Sequence, residues 1–221
     1  MIKMNKKNIL SFVSLPDIFT IANGILGFIA IYVVIIGNTI LAARIVFICI
    51  FFDSFDGFLA RRNNNCANFG KSFDSLADII SFGIVPSIIF IGYSKNTILA
   101  LILGTIYVVS GLLRLSRFNT TDSEDYYGLP ITLGAIFIIL LFLGDIPFYL
   151  YSALIVLTSF LFISNFKMKR PSNNAKLFVA FSSVFVLISL VHYQQIVVLS
   201  RILLIILPLI LFIYLLKFNQ S

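Results

Sequence analysis

Apolar residues in this chain come in long unbroken runs rather than at the spacing of a half-buried helix. The runs cover roughly residues 18–36, 40–60, 72–92, 97–116, 130–144, 147–164, 176–192 and 195–216. Short connections rich in Lys, Arg, Asn, Gly and Pro separate them. About 20 consecutive apolar residues span the hydrocarbon of a bilayer. The pattern therefore predicts an all-α, polytopic transmembrane bundle of about eight helices. The fifth run is short and ends at Gly144-Asp145-Ile146-Pro147, so the fifth and sixth also read as one broken hairpin that does not fully cross. Ahead of the first run, Ile9, Leu10, Phe12, Val13 and Leu15 predict a short interfacial helix.

Composition supports the membrane reading. The chain has 221 residues, 60% of them hydrophobic and 11% charged, against roughly 45–50% apolar and about 25% charged in soluble domains. The length suits one compact bundle, a single domain over residues 1–221. A net charge of +7 would suggest nucleic acid in a soluble chain, but here the basic residues fall in the connections. Lys3, Lys6, Lys7, Arg61, Arg62, Lys71, Arg114, Arg117, Lys167, Lys169, Arg170, Lys176 and Lys217 all lie on one side if eight crossings are made, and Lys95 alone lies in the opposite connections. The positive-inside rule then puts both termini in the cytoplasm, with anionic headgroups rather than nucleic acid as the expected neighbours. Arg44 and Arg201 sit toward the outer ends of their segments and snorkel or pack there. Pro16 and Asp17 interrupt the first apolar stretch, which lacks the small-residue cleavage site of a signal peptide. Cys49 and Cys66 form no scaffold and are read as reduced thiols.

Of the nine acidic residues, four fall within one membrane-facing stretch, FFDSFDGFLARRNNNCANFGKSFDSLADIISFG. Asp53 and Asp56 lie in the second run, Asp74 and Asp78 in the third. An ionised side chain at this depth costs several kcal/mol and normally faces the protein interior. On a helix, residues three or four apart share a face. Asp53, Asp56, Gly57, Ala60 and Arg61 therefore line one face, and Asp74 and Asp78 line another on a helix running the opposite way. Asp53 lies about 12 Å below Arg61 at 1.5 Å per residue, a depth the second pair matches. Four carboxylates at one depth call for neutralising cations, and oxygen-only ligands suit Mg²⁺, Mn²⁺ or Ca²⁺. Four can hold two ions, an arrangement suited to displacement at phosphorus. Gly57 and Ala60 leave a groove one turn away, in reach of an Arg61–phosphate pair; the plainer reading is close helix packing.

The spacing resembles the signature of the CDP-alcohol phosphotransferases, D-x-x-D-G-x-x-A-R, eight residues, then G-x-x-x-D-x-x-x-D. Asp53, Asp56, Gly57, Ala60, Arg61, Gly70, Asp74 and Asp78 meet every fixed position. Leu15-Pro16-Asp17 with Thr20 and Asn23 is similar to the family's first span, with Asp17 in place of the familiar Asn. The resemblance implies that Asp53, Asp56 and Asp74 bind a pair of Mg²⁺ or Mn²⁺ ions, with Asp78 a further ligand or the general base. It implies that Gly57, Ala60, Arg61 and Gly70 line the CDP pocket, and that Thr20 and Asn23 help hold the nucleotide. An acceptor hydroxyl would attack the lipid-linked phosphorus and CMP would leave. A homodimer is implied as well.

The acceptor is read from the segments after Asp74. DSLADIISFGIVPS, RLSRFN and YYGLPITLGA resemble the phosphatidylserine synthase branch, most of all at Ser81, Phe82, Gly83 and Pro86. The glycerophosphate-accepting branch more usually has Pro and Lys where this chain has Ser75 and Ile79. L-Serine brings a carboxylate, and Arg114 and Arg117, three residues apart, can both face the cavity to bind it; alone, they read as ordinary positive-inside anchors. The expected substrates are a CDP-lipid, either CDP-diacylglycerol or CDP-archaeol, and L-serine. Glycerol phosphate or inositol phosphate is the alternative acceptor. A cation transporter is a more distant reading, since intramembrane acids also mark ion pathways, but it leaves Gly70 and the fixed gap unexplained. A membrane scaffold has no use for four buried carboxylates. His192, the acidic Asp122, Glu124 and Asp125, and most of the 24 Phe read as ordinary interface, loop and packing residues.

Overall fold

The computed structural model describes residues 12–60, 67–94, 97–121 and 126–168. The predicted seventh and eighth runs lie outside these residues, as do His192, Arg61, and Ile9 and Leu10 of the predicted interfacial helix. Within them the chain forms α1 (Leu15–Ile35), α2 (Thr39–Ala60), α3 (Ala67–Asp78), a π-helical segment (Ile79–Ile84), α4 (Val85–Tyr93), α5 (Ile98–Thr120), β1 (Tyr126–Tyr127), α6 (Ile131–Leu143), α7 (Phe148–Ile163) and β2 (Lys167–Met168). The only departure from helix among them is the antiparallel bridge of β1 and β2, pairing Tyr126 with Met168 and Tyr127 with Lys167.

Three runs are long and apolar enough to cross a membrane among the described residues: Pro16–Ile35, Phe69–Tyr93 and Ile98–Thr120. Large apolar side chains point outward from them and from α7, Phe28 being 69%, Ile98 78% and Tyr149 76% exposed. Contiguous apolar surface on this scale belongs to a chain solvated by lipid. This is an integral membrane protein.

Local chemistry sets the ends of the helices. Pro16 and Asp17, which break the apolar pattern, form the first turn of α1: the Asp17 carboxylate accepts from the Ser14 amide at 2.6 Å and the Ser14 hydroxyl at 2.7 Å, a capping box. Asn38 accepts the Leu41 amide at 3.1 Å and opens α2. At the far end of α4, Tyr93 donates to Asp145 Oδ1 at 2.9 Å and to the Ile146 carbonyl at 3.0 Å. The link between α6 and α7 thus sits level with the end of α4. At their other ends both helices meet the close of α5, where Arg117 binds Tyr127 and the last turn of α7. The α6–α7 hairpin accordingly runs from one end of the bundle to the other, although each helix falls short of the length of a full span.

The third run is helical from Ala67 to Tyr93, but not uniformly α. Pro86 has no N–H for the Phe82 carbonyl four residues back, and its ring crowds that carbonyl. The backbone widens to a π-helix just before it, the Val85 amide reaching the Ile80 carbonyl. The buried Tyr107 hydroxyl of α5 donates to the Phe82 carbonyl at 3.0 Å, supplying a donor that Pro86 cannot. Single π-turns of this kind concentrate at functional sites.

Around this segment α1 packs at backbone distance. A Cβ added to Gly27 would lie 3.1 Å from Ile80 Cγ2 and 3.2 Å from Ser81 Cα, so no side chain fits there. Gly27→Ala should force α1 off the π-helix and cost about 1–3 kcal/mol, read as earlier thermal unfolding of the detergent-solubilised protein. An unchanged midpoint would show that the helices separate freely at this point.

Candidate functional site

Two helices bring the acidic residues together. Asp53 comes from α2, and Asp74 and Asp78 come from α3, one turn apart on one face. One carboxylate oxygen from each of the three lies within 4.8 Å of the others. Asp78 is only 6% exposed, and Asp53 and Asp74 are half-buried. Three of the four predicted ligands are thereby gathered at one depth. Asp56, Gly57 and Ala60 belong to α2, whose backbone is described there while their side chains are not, and Arg61 lies outside the described residues. An oxygen-only set this tight suits a small hard cation, which needs ligand oxygens about 2.0–2.1 Å from itself. The donor set therefore fits divalent metal.

Neutral groups on neighbouring helices fix the carboxylates. Asn23 of α1 is fully buried, and its Nδ2 donates to Asp78 Oδ1 at 3.2 Å. Its own carbonyl accepts from the Ser81 hydroxyl at 3.1 Å and from the Cys49 thiol at 3.7 Å, so one residue joins α1, α2 and the π-helix. Thr132, at the start of α6, donates to Asp53 Oδ2 at 3.3 Å. Thr20 is buried one turn before Asn23. Gly70 brings α3 onto the first turn of α1, where an added Cβ would stand 3.2 Å from the Asp17 carboxylate.

The two arginines predicted to bind the acceptor diverge. Arg117 Nη2 donates to the carbonyls of Tyr127 at 2.8 Å, Ser164 at 3.0 Å and Phe162 at 3.1 Å. Its Nη1 reaches the Ile163 carbonyl at 3.3 Å and Asn165 Oδ1 at 3.4 Å. These carbonyls include the open end of α7, where a cation also complements the helix dipole. The turn around it is fitted to the guanidinium: Gly128 has φ +74, and a Cβ there would stand 2.7 Å from Arg117 Nη2. Arg114 instead turns inward, 6% exposed, with its guanidinium carbon 5.6 Å from the centre of the Phe118 ring. Lys71 Nζ lies 4.4 Å from the same ring. Ser75 shares its hydroxyl proton between the Lys71 carbonyl at 3.1 Å and Asn119 Oδ1 at 3.2 Å, tying α3 to α5.

A family model described as CDP-alcohol phosphatidyltransferase matches residues 13–164, the segment that carries the carboxylates, Asn23, Thr132 and both arginines. The chain belongs to this family. It is similar to the archaetidylserine synthase of Methanothermobacter thermautotrophicus, 35% identical over 76% of this chain and 74% of that protein. It is similar also to the CDP-diacylglycerol–serine O-phosphatidyltransferase of Helicobacter pylori, 32% identical over 84% of each chain. The protein of that name from Methanocaldococcus jannaschii is 30% identical over 82% of this chain and 87% of its own. This CDP-alcohol phosphatidyltransferase is thus a membrane-embedded transferase.

Lys71, Phe118, Asn119 and Thr132 were given no role in the site by sequence, although RLSRFN and YYGLPITLGA contain the last three. Lys71 was legible in principle, since it precedes Asp74 and Asp78 by three and seven residues and shares their face. For Arg117 the contacts predict a structural effect. Arg117→Gln should strand several α7 and loop carbonyls and cost about 2–4 kcal/mol, seen as a thermal transition several degrees lower. The Michaelis constants of the fraction that stays folded should be unchanged; normal stability with weakened substrate use would show that Arg117 serves the substrate instead.

Proposed function

We propose that the protein is a CDP-lipid–serine O-phosphatidyltransferase. The serine hydroxyl oxygen attacks the lipid-linked phosphorus of CDP-diacylglycerol or CDP-archaeol, the bond to CMP breaks, and phosphatidylserine or archaetidylserine forms. The observation that carries this reading is the convergence of Asp53, Asp74 and Asp78 within 4.8 Å, inside a membrane bundle whose relatives bear serine-transferase names.

Asp53, Asp56 and Asp74 hold Mg²⁺ or Mn²⁺, one or two ions. When bound, the metal supplies charge neutralisation at the diphosphate. Thr20, Gly57, Ala60, Arg61 and Gly70 bind the nucleotide, as the family resemblance implies. Asn23 serves it indirectly, by occupying Asp78 Oδ1. Asp78, almost fully buried beside Asp53 and Asp74, takes the serine proton or completes the ligand set. Arg114 receives the serine carboxylate; Arg117 is left out because its donors are spent on α7. The site opens toward the cytoplasm, with both termini on that side. Support comes from Lys71, Arg114, Arg117 and Lys167 gathering at one end of the bundle, around Phe118 and Tyr127, as the positive-inside rule requires. The family likeness adds a homodimer.

Purified protein given CDP-lipid, Mn²⁺ and L-serine should release CMP and form a serine-headed lipid. CMP release with glycerol phosphate or inositol phosphate, and none with serine, would overturn the acceptor. Asp78→Asn should abolish turnover yet keep CDP-lipid binding, measured by equilibrium binding of labelled nucleotide lipid; retained turnover removes it from proton transfer. Thr132→Val should weaken divalent cation binding about tenfold, as outer partners of ligands do. The readout is free Mn²⁺ by electron paramagnetic resonance, with Thr132→Ser restoring the affinity.

A further inference from the structure

The cationic end of the site has a construction that the acidic signature does not explain. Lys71 Nζ and the Arg114 guanidinium approach one aromatic ring, Phe118, at 4.4 Å and 5.6 Å from its centre. Two like charges repel, and each ring contact returns only about 0.5–2 kcal/mol. The approach is built into the frame. Arg114 and Phe118 are one turn apart on α5, Lys71 and Ser75 are one turn apart on α3, and the Ser75–Asn119 hydrogen bond holds the two helices in register. Lys71 stands half-buried toward the start of α3. Arg114 lies one turn deeper along α5 and is almost fully buried. Below Lys71 on the same face come Asp74 and Asp78.

We propose that Lys71 and Arg114, aligned by Phe118, form a two-cation receptor for the carboxylate of the acceptor amino acid. The inference rests on the serine reading above and adds Lys71 and Phe118 to it as specificity-determining and positioning residues. Three carboxylates repel an incoming anion, so an acceptor bearing a carboxylate needs positive charge along its entry. Lys71 meets it at the mouth as a mobile point charge, and Arg114 takes it below through its planar fork. The serine hydroxyl, on the carbon next to the one bearing the amine and carboxylate, is then carried toward Asp78. Phe118 contributes no charge. It keeps both cations on one side of the cavity and off the metal ligands.

The test compares serine with serinol, which replaces the carboxylate by a second alcohol. Lys71→Met and Phe118→Leu should each raise the serine KM about tenfold and leave the CDP-lipid KM within twofold. Lys71→Arg and Phe118→Tyr should stay near the parent. The preference for serine over serinol should shrink by the same factor in the two damaging variants. Binding of labelled serine to the CDP-lipid complex of the Asp78→Asn protein should weaken in parallel, which separates recognition from turnover. A rise in the CDP-lipid KM instead would assign Lys71 to the diphosphate and overturn the proposal. So would an unchanged serine KM in both variants of an enzyme that does use serine. Failure of the parent protein to release CMP with serine would strike the function itself rather than the receptor.

Discussion

Three carboxylates share a depth in this bundle where lipid surrounds the outside, and most of the observed packing follows from keeping them there. An ionised carboxylate at the centre of a bilayer costs about 2.5–3.5 kcal/mol even on insertion scales. Asn23 and Thr132 each give one hydrogen bond to a carboxylate, worth about 1.5–3 kcal/mol when the acceptor is charged. Three carboxylates within 4.8 Å of one another repel when ionised, and a cation among them offsets that repulsion. The oxygen-only donor set suits a small hard divalent cation. The neutral partners have a different task, which is to say where each carboxylate points before a cation arrives.

The π-helix belongs to the same constraint. Asp78 is the last residue of α3, and the widened turn begins with the next residue. Pro86 withholds a donor from Phe82, Tyr107 of α5 supplies one, and Ser81 is held by the Asn23 carbonyl from α1. The segment following the carboxylate is thus gripped from two sides. Gly27 lets α1 come close enough for that grip. An apolar run interrupted by one proline becomes a rigid backing for an acidic residue.

What was legible in the sequence was whatever depends on spacing along a single helix. The two acidic pairs at three- and four-residue spacing carried the family, the depth and three converging carboxylates. The first six segments of the pattern correspond to helices with ends shifted by a few residues. Relations between helices were not legible. Arg114 and Arg117 are three residues apart, yet three residues rotate a side chain to about 60° from its starting direction. That offset is enough to send one inward over Phe118 and the other onto α7. Lys71 was taken as a boundary residue because nothing local says which neighbouring helix its side chain meets. Thr132 and Asn119 act only across helices, and the two-residue bridge of Tyr126–Tyr127 with Lys167–Met168 is too short to leave a period of two.

The division of labour between Arg114 and Arg117 explains how the cationic end can be both firm and receptive. Arg117 spends its donors on five acceptors in the chain itself, closing α7 and fixing the turn through Gly128 that leads into α6. Four residues after that turn Thr132 meets Asp53. A cation at the periphery therefore sets the orientation of a carboxylate at the centre without touching it. Arg114 and Lys71 both lie beside the Phe118 ring, and a planar fork and a point charge are both groups that recognise anions. Had both arginines faced the cavity, the end of α7 would have lost its cap and the start of α6 its anchor. Arg117 thus stays where the frame needs it, while Arg114 and Lys71 meet around Phe118.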